Sequence, residues 1–247
     1  MGVIDWIINR DKNILYYPGC VSKGFLGEHG KNYQEIFYKL GIKVLSLPRE
    51  KICCGITLFN SGYKKDARKL ALKNFKLFKE MKITKIITNS PECYYMLDKI
   101  YPELVRDFDI EIEHASVAIL NALKSGGIRF IGGDEEREIV SFHDSSYLGR
   151  RSLIYEEPRE VIELLGGEIV EMKLNRGDSF SCGAGGGVLI NYPKIARGAA
   201  KIVSGRVPSQ AKKLICTSSL CYLNLESVDD RTTEFSNFVL NKLKEIL

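Results

Sequence analysis

Apolar positions between Lys64 and Met81 recur at intervals of three and four. Ala67, Leu70, Ala71, Phe75 and Phe78 form one stripe, while Lys65, Arg68, Lys69, Lys73, Lys76 and Lys79 fill the remaining positions. That period predicts an amphipathic helix with a basic, solvated outer face. A second helix is predicted near Lys31–Leu40, closed by Gly41. Apolar, β-rich runs at Ile14–Tyr17, Lys43–Leu47 and Lys85–Thr88 read as strands between these helices. Strands alternating with helices of this length predict a parallel sheet built from crossover units.

The series then repeats. Lys85–Leu97 reads KIITNSPECYYML and Lys213–Leu225 reads KLICTSSLCYLNL, and Cys54-Gly55 returns as Cys182-Gly183, both at a shift of 128. Cys54 and Cys93 are 39 residues apart, as are Cys182 and Cys221. Upstream, Ile14–Tyr17 leading to Cys20 corresponds to Ile139–His143 leading to Ser146, with a slightly smaller shift that loop insertions explain. Self-similarity at fixed spacing marks duplicated supersecondary units. The fold expected is therefore α/β, two tandem pseudo-repeated domains, each with a small, mostly parallel sheet flanked by helices. Their expected bounds are residues 1–128 and 129–247, because a helix predicted at His114–Leu123 ends in the Lys124-Ser125-Gly126-Gly127 break.

Composition narrows the function classes. Hydrophobic residues at 45% and charged residues at 27% are those of an ordinary globular chain. A net charge of +5 over 247 residues is too mild for a nucleic-acid binder. No apolar run reaches the roughly 18 residues that span a bilayer. Met1–Asn13 is broken by Asp5, Arg10 and Asp11, so neither a signal peptide nor an anchor is expected. The 7 cysteines, with Cys53 and Cys54 adjacent, then read as reduced cytoplasmic thiols in metal or redox work.

Cys20, Cys53, Cys54 and Cys93 follow predicted strand ends, so the topology gathers them at the carboxyl edge of the first sheet, where open α/β sheets bind ligands. Four thiolates suit either tetrahedral zinc or an iron–sulfur cluster. Gly55 permits the turn that aims two consecutive cysteines at one centre. Cys216 falls where the first half has Thr88 and is expected to be a packing residue. His143 is expected to fix its loop by a hydrogen bond. The glycine-rich run Gly183–Gly187 has no strand directly before it and departs from the dinucleotide fingerprint. A GxSxG elbow is missing, which removes the serine hydrolases.

YPGC at Tyr17–Cys20, CCG at Cys53–Gly55, SPEC at Ser90–Cys93, HDSSYLGR at His143–Arg150, YEEPREV at Tyr155–Val161 and SCGAGGG at Ser181–Gly187 together give the chain a resemblance to a known family. It resembles the CCG-domain, or cysteine-rich-domain, proteins, which include the B and D polypeptides of heterodisulfide reductase and the iron–sulfur subunits of glycolate and lactate oxidising enzymes. The resemblance implies a cysteine, a CCG and a CxxC in each half, together holding a noncubane [4Fe-4S] cluster. In the first half Cys20, Cys53, Cys54 and Cys93 match, with Ser90 at the first CxxC position as a possible ligand. In the second half Ser146, Ser181 and Ser218 stand at cysteine positions, leaving a vestigial pair, Cys182 and Cys221, that is expected to bind no cluster.

The resemblance thus implies an iron–sulfur electron-transfer subunit of a heterodisulfide-reductase-like oxidoreductase, its cluster, [4Fe-4S] or another type, in the first domain. The couple would be disulfide/thiol or hydroxy acid. Ferredoxin motifs are missing from the chain, so electrons would come from partner subunits carrying ferredoxin-type clusters or flavin, with membrane contact only through a partner. The competing reading is a structural or assembly subunit whose site holds zinc or is vestigial.

Overall fold

Leu15 and Tyr17 face one side of the first strand and Ile14 and Tyr16 the other, the period of two that lets a strand serve two cores at once. The computed structural model describes residues 12–24, 26–47 and 53–246. Positions 1–11, which include most of the opening stretch read above, lie outside the described residues. Strands β1 (Asn13–Tyr16), β2 (Leu45–Ser46), β3 (Ile83–Thr88) and β4 (Glu111–His114) pair in the order β2-β1-β3-β4, every pair parallel. Strands β5 (Glu138–His143), β6 (Gly167–Ile169), β7 (Lys213–Cys216) and β8 (Thr232–Glu234) repeat the plan as β6-β5-β7-β8, again all parallel. The expected α/β fold with two pseudo-repeated sheets is the one observed.

Each half contains one strand more than the three expected. β4 and β8 are short edge strands whose charged and hydroxyl side chains hide them from a search for apolar runs. Of the expected strand Lys43–Leu47, only Leu45–Ser46 pairs. His114 is the last residue of β4 and also the N-cap of the helix Ala115–Gly126, its ring accepting from the Ser116 backbone N–H at 3.3 Å.

The helices form three layers around the two sheets. Ala67, Ala71 and Phe78 of the helix Lys64–Glu80 pack with Leu15, Ile86, Met96 and Leu97 on the outer face of the first sheet. The outer face of the second sheet carries Ala200 and Val203 of the helix Pro193–Ser204, packed with Leu214 and Leu225. Between the sheets lies one shared core. It takes Tyr33, Ile36 and Phe37 from the helix Gly27–Lys39 and Ile119 and Leu123 from Ala115–Gly126. From the other half it takes Val161 and Ile162 of Glu156–Leu164 and Phe238 and Leu243 of Phe235–Ile246. In each pairing the closing helix of one half lies on a helix of the other: Ala115–Gly126 on Glu156–Leu164, and Phe235–Ile246 on Gly27–Lys39.

In this strand order the chain leaves β1 toward β2 and leaves β3 toward β4, in opposite directions. The crevice between the carboxyl ends of β1 and β3 is therefore a topological switch point, and β5 and β7 form a second. The sequence places Cys20 and Cys93 beyond the first crevice and Ser146 and Cys221 beyond the second. Among the described residues no helix is long and apolar enough to cross a membrane.

Candidate metal centre

At the first switch point the side chains come from three loops. The loop after β1 passes through Gly19, whose φ of +74° is left-handed and whose added Cβ would lie 2.9 Å from Ser90 Cβ and 3.3 Å from Cys93 Sγ. Only glycine lets that backbone lie against the Cys93 loop. The adjacent cysteines precede Gly55, at a φ of +87°, which opens the short helix Ile56–Asn60. Asn74 donates to the Cys53 carbonyl at 2.8 Å, and Tyr101 donates its hydroxyl to the Cys54 carbonyl at 3.0 Å. Cys93 sits in the first turn of the helix Pro91–Tyr95, whose N-cap Ser90 accepts from the Cys93 backbone N–H at 3.3 Å.

Cys54 and Cys93 are buried with their sulfurs 3.2 Å apart, while Cys20 and Cys53 reach solvent. The four thiols share one electrostatic environment. Contact with Cys54, then burial, pushes the Cys93 thiol well up, with Cys20 adding a smaller rise. Burial first, then Cys54 and Cys53, pushes up Cys20, and burial pushes up Cys53. Tyr17 borders the set, its ionisation opposed by burial and then by Cys54 and Cys93.

The second switch point has different chemistry. Cys182 and Cys221 are buried with their sulfurs 2.8 Å apart. The contact with Cys221, and then the nearby His143, hold Cys182 well below the ordinary thiol range, while the same sulfur contact and burial push Cys221 well above it. His143 occupies the place of Tyr17, one residue past the match to Tyr16. It is fully buried, and neither ring nitrogen has a hydrogen-bond partner among the described residues. The loop-fixing role expected of His143 belongs to its neighbour Asp144. Arg159 of the YEEPREV motif grips both Asp144 oxygens at 2.8 Å, and the Arg176 backbone N–H donates to the same carboxylate at 2.6 Å.

The serines at cysteine positions are already engaged. Ser146 Oγ accepts from Arg150 at 2.6 Å, and Ser181 Oγ accepts from the Gly183 backbone N–H at 3.3 Å. Ser218 Oγ donates to Glu92 at 2.9 Å, and Ser90 Oγ donates to the other oxygen of that carboxylate at 3.1 Å. Glu92 thereby ties the two switch points together, and desolvation raises its pKa against the pull of these hydroxyls. The second half therefore does not fit a five-cysteine cluster. Gly183, at a φ of +83°, brings its loop against Ala196 and Ala199, so this first glycine of the run serves helix packing. Cys216 is buried among apolar side chains.

Glu92, Asn74, Tyr101 and the motif arginines were not legible as site-building residues. Glu92 has Leu220 as its repeat partner, and Asn74 lies on the helix stripe among Ala67, Ala71 and Phe78, so neither breaks a pattern in a way that signals its role.

The CCG cysteine-rich-domain family model matches residues 14–98 and 140–226, the two halves described above. The chain belongs to this family. Among its relatives, a probable iron-sulfur-binding oxidoreductase, FadF, of Bacillus subtilis is 31% identical over 67% of this chain and 24% of its own length. The D polypeptide of the dihydromethanophenazine:CoB–CoM heterodisulfide reductase of Methanosarcina mazei is 26% identical over 99% of this chain and 61% of its own. The EtfAB:quinone oxidoreductase of Syntrophomonas wolfei is 27% identical over 72% of this chain and 25% of its own. The chain thus spans about a quarter to three-fifths of the length of these relatives.

Proposed function

We propose that this chain is an iron–sulfur electron-transfer subunit of a heterodisulfide-reductase-like oxidoreductase, with one cluster at the first switch point held by Cys20, Cys53, Cys54 and Cys93. The observation that carries the reading is the meeting of the Cys20, Cys53-Cys54 and Cys93 loops at one switch point, with the Cys54 and Cys93 sulfurs 3.2 Å apart and buried, and with Gly19 lying against the Cys93 loop. Four thiolates satisfy a [4Fe-4S] cluster. Ser90 is committed as an N-cap and as a donor to Glu92, so four ligands rather than five is the count we adopt. The cluster, when bound, supplies electron transfer.

The protein's own residues set its surroundings. Cys54 and Cys93 anchor the dry side, with their loops held by Asn74, Tyr101 and the Ser90 cap, while Cys20 and Cys53 face the solvent side from which a redox partner or a thiol substrate approaches. The names of the relatives, a heterodisulfide reductase among them, favour a disulfide/thiol couple over a hydroxy-acid one. Partners that carry ferredoxin-type clusters or flavin, and a cytoplasmic protein that meets a membrane only through such a partner, complete the reading. A zinc ion at this site gains no support from the relatives, of which FadF of Bacillus subtilis carries the name of an iron-sulfur-binding oxidoreductase.

Anaerobic reconstitution of the chain with iron and sulfide tests the reading. The expected product is brown, with roughly four irons per chain and visible thiolate-to-iron absorbance, and Cys54→Ser and Cys93→Ser abolish both. Wild-type protein that stays colourless under these conditions overturns the proposal.

A further inference from the structure

The second half does more than lack a cluster. Among the described residues, three potential metal ligands lie mutually within 4.8 Å at one place, formed by His143, Cys182 and Cys221. All three are buried, with His143 at 0%, Cys182 at 4% and Cys221 at 5% exposure. Among the described residues neither imidazole nitrogen has a well-formed hydrogen bond, and the ring lies beside the Cys182 sulfur, an expensive arrangement for a polar group in a dry interior unless something else occupies it. The placement follows from strand geometry. Val140 and Phe142 of β5 face the shared core, so the period of two turns His143 to the outer face, where Cys182 and Cys221 belong to the apolar cluster. In the first half the same register position holds Tyr17, which cannot serve as an imidazole donor.

We propose that His143, Cys182 and Cys221 form a mononuclear site for a thiophilic divalent cation of the zinc class, distinct from the cluster site in the first half. Two thiolates and one imidazole are a recognised zinc donor set that keeps a fourth, exchangeable position. Zinc–sulfur bonds near 2.3 Å and a zinc–nitrogen bond near 2.1 Å require donor separations of roughly 3.5 to 3.8 Å, which side-chain adjustment can reach from this trio. Ser146, Ser181 and Ser218 are held by Arg150, Gly183 and Glu92, so the donor set stays at three protein ligands. The ion takes both sulfurs as thiolates, any proton the pair still carries leaves to solvent, and no oxidation state changes. A site with three soft protein donors, unsuited to magnesium or calcium, is thereby assigned to the half whose sequence reads as vestigial.

The test uses the full chain, purified anaerobically, with metals counted by elemental analysis before and after adding Zn²⁺, and with Co²⁺ as a spectroscopic probe. The wild type is expected to hold one equivalent of zinc in addition to cluster iron, and the cobalt form to show thiolate charge transfer and tetrahedral ligand-field bands. Cys182→Ser and His143→Ala should lose the zinc equivalent and leave cluster iron unchanged. Cys54→Ser should lose cluster iron and keep the zinc. His143→Cys restores a donor, so it should recover zinc and guards against a fold defect in His143→Ala. Zinc content unchanged by Cys182→Ser and His143→Ala would overturn the site. So would a wild type that takes up no ion and whose Cys182 and Cys221 are recovered as a disulfide.

Discussion

At the scale of single residues, Gly55 and Glu234 make opposite kinds of claim. Gly55 holds a φ of +87°, and a Cβ there would sit 3.3 Å from Leu70 Cδ2, so a β-branched side chain faces both backbone strain and crowding. Gly55→Val should lower stability by about 1–3 kcal/mol and remove cluster iron almost as completely as Cys54→Ser, measured by denaturant unfolding and iron content. Full iron retention would mean that Cys53 and Cys54 do not both ligate. Glu234 is buried at the N-terminus of the helix Phe235–Ile246, accepting from the Tyr33 hydroxyl at 3.0 Å and the Ser236 backbone N–H at 2.7 Å. Desolvation outweighs these donors and raises its pKa from 4.5 to about 7. A carboxyl raised on folding favours the native state when protonated, so this contribution is complete below the ordinary carboxylate range and fades as pH rises through about 7. Stability should fall by roughly 3 kcal/mol from about pH 5 to pH 8, and Glu234→Gln should flatten that slope in thermal melts across the same range.

Elements show where sequence reading succeeds and where it stops. The helix Lys64–Glu80 was legible because five apolar positions at intervals of three and four outweigh its many lysines, and the exposed basic face follows directly. The edge strands were not. β4 reads EIEH, and its glutamates pair with Lys85 of the neighbouring strand at 2.9 Å, a charge ladder that a hydrophobic pattern does not register. The cysteines of the two sites, and the serines that replace some of them, followed from the repeat, whereas His143 needed the strand's facing direction to be known. Asn74 is the clearest omission: it sits on the buried stripe of its helix and donates to both the Cys53 carbonyl and the Tyr101 hydroxyl at 2.8 Å. Asn74→Ala should cost about 1–3 kcal/mol in urea unfolding, because the buried Tyr101 hydroxyl and the part-buried Cys53 carbonyl lose their donor. It should also slow cluster assembly without removing any ligand. Normal iron uptake together with normal stability would show that the CCG loop keeps its shape without this clamp.

At the scale of the molecule, duplication explains the plan but not the cohesion. The first sheet ends with β4 at His114 and the second begins with β5 at Glu138, on either side of the boundary expected from the repeat, yet the core between them does not divide. Tyr16, Ile36 and Ile119 from the first half pack in one cluster with Phe142, Ile162 and Phe238 from the second. Polar contacts cross the same boundary: Tyr33 to Glu234 at 3.0 Å, Ser22 to Ser219 at 2.6 Å, and Glu92 to Ser218 at 2.9 Å. A half made alone would expose the apolar faces of two helices and take the Tyr33 hydroxyl from Glu234, and a face of that size does not stay solvated as a monomer. Cutting the chain between Ile128 and Arg129 therefore gives a defined expectation. Each half expressed alone should be insoluble or self-associated, and the two expressed together as separate chains should co-purify as a one-to-one pair with cooperative unfolding, read by light scattering and thermal melting. Either half folding alone as a monomer with a sharp transition would show that the shared core is a docking contact between independent domains, and the link from Ser90 through Glu92 to Ser218 would then be dispensable for the first site.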